Sequence, residues 1–263
     1  MNILITGAAG FIGYHTSLMF LKKKHKVTGV DNINSYYDLK LKQIRIKNLK
    51  LFKNFSFYKF DISQKEKWKE IKNIKFDKII HLAAQAGVRF SLDHPFQYTN
   101  SNLLGTFNTI EFCKKKKIKH LIFSSSSSVY GNNKLLPFME SDKTDDPMQY
   151  YAATKKSCEI MLASYSRLYN FNVDILRLFT VYGPFGRPDM ALFKFVERVY
   201  NNKKIEVYNK GNHSRDFTYI DDVVKAIYLI SKKKNKKKFK YNIFNICSGK
   251  KIKITRMIEL ISK

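Results

Sequence analysis

Cysteine, proline and tryptophan are scarce in this chain of 263 residues, which holds three, five and one of them. Cys113, Cys158 and Cys247 stand far apart without a Cys-x-x-Cys pair. That argues against a disulfide framework and a zinc site, and it fits a reducing cytoplasm. None of the six histidines has metal-ligand spacing to a second histidine or cysteine, so no metal is expected. His81, inside an apolar strand end, reads as a satisfied core histidine. No apolar run approaches the ~18 residues that span a bilayer. The N-terminus opens on a strand-like run rather than a basic leader and apolar core, so no signal peptide is expected.

Acidic residues are also few, 21 against 49 basic, for a net charge of +28. Such a balance occurs in proteins that bind nucleic acid or membrane surfaces. Here lysine outnumbers arginine about five to one, whereas arginine is favoured for bidentate phosphate and base contacts. The lysines spread from Lys22 to Lys263, and the clusters Lys22–Lys24, Lys114–Lys117 and Lys232–Lys240 read as helix ends and a solvated loop. Neither nucleic acid nor membrane is expected as a partner.

What is present is a 44% apolar chain, long enough for one large domain or a domain and a half. Strand candidates Asn2–Thr6, Lys26–Val30, Ser56–Phe60, Phe76–Leu82, Lys119–Ser124 and Asn172–Leu178 alternate with helical patterns. Those patterns cover Gly10–Lys23, Asp38–Leu51, Glu66–Asn73, Pro95–Lys115 and Tyr151–Tyr169. The alternation predicts an α/β fold, a doubly wound parallel sheet with helices on both faces. Runs such as Ile3-Leu4-Ile5 are apolar throughout, as strands buried on both faces are. After Leu178 the pattern loosens. Helices are expected at Asp189–Tyr200, Asp221–Ile230 and Thr255–Ile261, with short strands at Ile205–Tyr208 and Asn242–Ile246. Residues 1–178 therefore read as a dinucleotide-binding domain and 179–263 as a smaller lobe interleaved with it.

Thr6-Gly7-Ala8-Ala9-Gly10-Phe11-Ile12-Gly13 joins the first strand to the first helix. Gly7 permits the tight turn, Gly10 lets backbone approach a pyrophosphate, and Gly13 lets the helix pack on the sheet. The helix N-terminus offers free N–H groups and a positive dipole end to phosphate. Asp31 ends the second strand 18 residues after Gly13, where a carboxylate accepts from the adenosine ribose hydroxyls. It would repel a 2′-phosphate, and the adjoining Asn32-Ile33 supply no cation, so NAD is expected over NADP. Asp61-Ile62 reads as an adenine contact, with a simple helix N-cap as the rival reading of Asp61. Leu82-Ala83-Ala84-Gln85 offers small side chains beside the cofactor.

Tyr151 and Lys155 stand four residues apart on a predicted helix and share one face. A lysine cation favours a phenolate beside it, which makes the tyrosine a candidate general base. The serine run Ser124–Ser128, followed by Val129-Tyr130-Gly131, leaves the fifth strand at its C-terminal end, where ligands of open α/β sheets bind. Alternate residues of an extended segment face the same way, which singles out Ser126 and Ser128.

Thr-Gly-x-x-Gly-Phe-Ile-Gly, Ser-Ser-Ser-x-x-Val-Tyr-Gly and Tyr-x-x-x-Lys together resemble the extended short-chain dehydrogenase/reductase superfamily, with its Rossmann-type sheet and substrate lobe. Ala86-Gly87-Val88-Arg89, Tyr151–Lys156, Thr180–Met190 and Arg215–Ile220 resemble the UDP-glucuronate 4-epimerases within it, and the likeness covers essentially the whole chain. The resemblance implies that Tyr151 takes the proton of the sugar 4-hydroxyl. Lys155 would hold Tyr151 ionised and bond the nicotinamide ribose, and NAD would accept hydride from carbon 4 and return it to the other face. It implies further that Ser124 lies by the cofactor. Ser126, Ser127 and Ser128 would face the sugar, Arg187 and Thr180 its carboxylate, Arg215 the UDP phosphates, and Arg89 the substrate. Relatives that dehydrate or decarboxylate carry a carboxylate near the Val-Tyr-Gly, where this chain has only serines. A homodimer through Pro95–Lys115 and Tyr151–Tyr169 is implied by analogy.

Family members continue beyond Asn245–Gly249 for several elements, so a truncated substrate lobe is expected. Two further readings stay open at this point. One is a neutral UDP-hexose 4-epimerase. The other is a non-catalytic NAD-binding or basic interaction protein that keeps the fold.

Overall fold

The computed structural model describes residues 1–207, 211–233 and 240–262. Its strands are β1 (Asn2–Thr6), β2 (Lys26–Asp31), β3 (Phe55–Lys59), β4 (Lys78–His81), β5 (His120–Ser126), β6 (Asn172–Leu178), β7 (Thr180–Tyr182), β8 (Ser214–Tyr219), β9 (Tyr241–Ile246) and β10 (Lys251–Lys253). Its α-helices are α1 (Phe11–Lys22), α2 (Leu39–Lys50), α3 (Phe90–Asp93), α4 (Pro95–Tyr98), α5 (Gly105–Lys115), α6 (Tyr150–Tyr169), α7 (Ala191–Tyr200), α8 (Ile220–Lys232) and α9 (Ile254–Ile261).

Seven strands form one parallel sheet in the order β3-β2-β1-β4-β5-β6-β9. The expected α/β class and Rossmann-type winding hold. Alternate residues of each strand serve opposite layers. Ile3, Ile5, Ile80 and Ile122 enter one apolar cluster, and Leu4, Ile79, Leu121 and Phe123 enter the other. The chain order reverses between β1 and β4, and a crevice opens there beyond the C-terminal strand ends.

Several expectations need correction. Asn242–Ile246, expected in the smaller lobe, runs as β9 beside β6 in the main sheet. Ile205–Val207 forms no strand, and Tyr208 lies outside the described residues. A second sheet, β10-β8-β7, went unseen in the sequence because its strands are short and largely polar. The Glu66–Asn73 helix is a 3-10 helix over Lys65–Ile71. The long helix from Pro95 is interrupted by a π-helical stretch at Thr99–Leu104. Inside that stretch the buried Asn102 carboxamide bonds the Gln85 backbone and the Thr154 hydroxyl, contacts that no local propensity announces. Of the cluster Lys232–Lys240, Lys232 closes α8, and residues 234–239 lie outside the described residues. His81 is buried between the hydroxyls of Thr6 and Thr106.

Candidate active site

The glycine loop is built as its sequence demands. Gly7 has φ +74°, a region that L side chains avoid. A Cβ on Gly13 would sit 1.9 Å from the Gly7 carbonyl oxygen. No side chain caps α1, and its first turn holds no acidic residue, so its N-terminal N–H groups and dipole face the crevice. Asp31 is held by N–H donors from Ala9 at 3.0 Å and Ile33 at 2.8 Å. Burial pushes its carboxyl up, and those bonds pull against it. This bare helix terminus, with a carboxylate at the end of β2, fits the diphosphate and ribose of a dinucleotide. Asp61 accepts from Asn32 at 2.8 Å and from the Ser63 N–H and hydroxyl, so it lines the crevice and also closes a turn.

One cleft gathers most of the expected residues. Gly7, Gly10, Phe11, Ile12, Gly13, Asp31, Asn32, Asp61, Ile62 and Leu82–Gln85 line it, together with Ser124, Ser126, Tyr151, Lys155 and Arg187. Arg89, Ser127, Ser128, Thr180 and Arg215 are not among its lining residues. Arg89 stands exposed at the start of α3, and Thr180 is half-buried on β7. Arg215 is exposed on β8, with its guanidinium turned to the Ser214 carbonyl.

The serine run does not alternate as an extended strand would. β5 ends at Ser126, and Ser127–Tyr130 turns into a 3-10 helix. The Ser126 hydroxyl caps that turn, accepting from the Ser128 N–H at 3.1 Å, and it donates to the Ser128 hydroxyl at 3.1 Å. The two hydroxyls meet, but through a cap rather than a shared strand face.

Tyr151 and Lys155 lie one turn apart near the start of α6, as expected. Their electrostatic relation differs from the sequence reading. The Lys155 ammonium donates to the Ser124 carbonyl at 2.7 Å and lies 4.8 Å from the centre of the Phe123 ring. Burial lowers its pKa to about 8, against the opposing pull of Cys158 and Glu159. Burial raises the Tyr151 phenol. The bond with Ser126 and the charge of Arg187, rather than Lys155, work to lower it.

Arg187 bonds Asp189 through Nε at 3.0 Å and through Nη2. Burial opposes the guanidinium charge, and the Asp189 bonds outweigh it, so its pKa is raised. Burial also opposes the charge on Asp189, but the Arg187 bonds hold its carboxyl below the usual range. The Tyr36 hydroxyl donates to Asp189 at 3.1 Å, and burial followed by the Asp189 charge pushes that phenol up to about 12.

Sequence reasoning missed Tyr36, Lys42, Asn102, Glu159 and Asp189. Tyr36 and Lys42 line the cleft, and the Lys42 ammonium sits 2.6 Å from the Asn34 side-chain oxygen. Glu159 accepts the Ser125 hydroxyl and a two-pronged Arg177. Asp189 had a signal, its place two residues after Arg187. The others depend on contacts between distant segments. Among the described residues no group of three or more metal-ligating side chains is found, and no helix is long and apolar enough to cross a membrane.

A Gly-rich strand-to-helix turn, an acidic residue ending β2 and a Tyr-x-x-x-Lys beside strand-end serines define a short-chain dehydrogenase/reductase-type dinucleotide site. The NAD dependent epimerase/dehydratase family model matches residues 3–247, and the chain belongs to that family. It is 47% identical to a probable UDP-glucuronate 4-epimerase of Rhizobium meliloti, over 88% of this chain and 68% of that protein. It is 42% identical to the UDP-glucuronate 4-epimerase of Thermodesulfobacterium geofontis, over 99% and 79%. The crystal structure of UDP-glucuronic acid 4-epimerase from Bacillus cereus, in complex with UDP-glucuronic acid and NAD, superposes with a TM-score of 0.91. That protein is 34% identical, and the match covers 99% of this chain and 82% of that one.

Proposed function

We propose that this protein is an NAD-dependent UDP-glucuronate 4-epimerase, which interconverts UDP-glucuronate and UDP-galacturonate through a 4-keto sugar. The observation that carries the reading is the convergence of the glycine loop, the Ser126–Tyr151 pair and Arg187 on one cleft. NAD, when bound, accepts the hydride from carbon 4 and returns it. The glycine loop and Asp31 hold the dinucleotide, and Lys155 is placed to anchor its nicotinamide ribose. Tyr151 takes the 4-hydroxyl proton and gives it back, with the Ser126 hydroxyl polarising the exchange. Ser126-Ser127-Ser128 supplies no carboxylate for elimination or decarboxylation, so return of the hydride is the step that remains.

Arg187 recognises the sugar carboxylate. A guanidinium carries five N–H donors, so its two bonds to Asp189 do not exhaust it. Purified protein should convert UDP-glucuronate to UDP-galacturonate. Arg187→Ala should lower kcat/KM for UDP-glucuronate by about ten- to a hundredfold, the worth of a charge-assisted bond, and lower it far less for UDP-glucose. Equal losses on both sugars would favour the neutral-hexose reading. Absence of product with wild type would favour a non-catalytic one.

The working unit in this reading is a homodimer in the cytoplasm. Leu104, Phe107, Ile160 and Leu168 stand exposed on the helical segments before and within α5 and on α6, an apolar surface of the kind that pairs. Sedimentation should find two chains per particle, and a monomer at working concentration would refute the pairing.

A further inference from the structure

Arg45, on α2, is fully buried and does not line the cleft. No carboxylate forms a salt bridge with it among the described residues. Its two terminal nitrogens are spent on the backbone and one phenol, and its buried Nε has no hydrogen-bond partner among the described residues. Nη1 donates to the Ala9 carbonyl at 2.8 Å and the Tyr37 hydroxyl at 2.7 Å. Nη2 donates to the Phe185 carbonyl at 2.6 Å and the Gly186 carbonyl at 3.3 Å. A buried cation costs free energy unless such partners satisfy it. Ala9 belongs to the glycine loop, and Gly186 immediately precedes Arg187.

The segment it grips needs holding. Gly183 has φ +146° and Phe185, a non-glycine residue, has φ +54°, a conformation that L side chains adopt only under external constraint. The neighbouring carbonyl, Pro184, receives the His15 Nε2–H of α1 at 2.9 Å. The Phe185 ring packs against Tyr14 at 5.4 Å. Three consecutive carbonyls, 184 to 186, are thus tied to α1 and α2. Arg45 hydrogen-bonds the loop and the strained segment with one side chain, and its planar fork matches two acceptors at once as a lysine ammonium does not.

We infer that Arg45 is a positioning residue that sets the Arg187 segment in register with the dinucleotide loop, so that sugar recognition is aligned with the redox centre. The inference rests on the proposed role of Arg187 and is tested apart from it.

The full chain would be compared as wild type, Arg45→Lys and Arg45→Gln. Lysine keeps the charge and loses the fork. In Arg45→Lys, amide hydrogen exchange across residues 183–190 should accelerate by about tenfold or more, while β1 and β5 exchange as in wild type. KM for UDP-glucuronate should rise at least about tenfold, with kcat within about threefold, and UDP-glucose should be affected less. Unchanged exchange at 183–190 in Arg45→Lys would overturn the inference. So would kcat and KM effects that are equal on both sugars and follow a general loss of folded protein. Should Arg45→Gln fail to fold, the lysine variant alone decides. Should wild type leave UDP-glucuronate unconverted, the functional reading falls, and the exchange experiment still decides the role of Arg45.

Discussion

Tyr151 is half-buried, and burial keeps its phenol above the ordinary tyrosine range despite Ser126 and Arg187. Lys155, one turn further along the same helix, lines the same cleft. Burial holds Lys155 at about 8, against the 10.5 of an ordinary lysine. Between these values the folded chain binds fewer protons than the unfolded one. Its contribution to stability therefore becomes more favourable as pH rises through that window. Activity should run the other way, since loss of the ammonium removes a donor from the cleft. A pH–rate profile of kcat/KM should fall above about pH 8. Tyr151→Phe should lose about 10²- to 10⁴-fold in kcat, the usual worth of a general base. A flat profile to pH 10 would remove Lys155 from the rate, and a fully active Tyr151→Phe would remove the phenol.

At the scale of elements, α6 is the piece on which the site is registered. Tyr151, Lys155 and Glu159 follow one another at four-residue steps, and the last is locked into the sheet. Its carboxylate receives Arg177 of β6 at 2.9 Å and the Ser125 hydroxyl of β5 at 2.5 Å, with all three residues buried. Removing one member of a buried ion pair leaves the other uncompensated. Glu159→Gln should destabilise the fold by about 3 kcal/mol, measured by urea unfolding, and a midpoint within error of wild type would exclude the lock. This element also marks how far the sequence was legible. The helix, its Tyr-Lys face, six of the seven main-sheet strands and the glycine loop follow from periodicity and turn chemistry, which are local, whereas the place of β9 beside β6 does not. Glu159 looks like any helix carboxylate until β5 and β6 are laid beside it. Asn102 looks like a helix residue until the Gln85 backbone meets it. Arg45 looks like one more surface cation on a lysine-rich helix, because nothing nearby in sequence shows that residues 185 and 186 pack against it. Ser128 was reached by the wrong geometry, since strand alternation stops where a serine caps the turn.

At the scale of the whole molecule the charge dominates. A net +28 remains after every carboxylate is counted, and several of the ion pairs among the described residues lie at the surface. Lys67–Glu70, Lys114–Glu111 and Arg256–Glu259 are exposed helical neighbours, each worth little. Repulsion among lysines therefore exceeds attraction, and the compact state carries that strain. Added salt shortens the Debye length to roughly 10 Å at 0.1 M and relieves it, so the melting temperature should rise between 20 and about 300 mM NaCl. In the proposed function the same field should draw an anionic nucleotide sugar toward the cleft. Its screening should lower kcat/KM for UDP-glucuronate several-fold over that range, more than for a less charged UDP-hexose. Stability and capture would then respond to salt in opposite directions. A melting temperature that falls with salt would mean that local pairs, not the net charge, govern the fold's electrostatics.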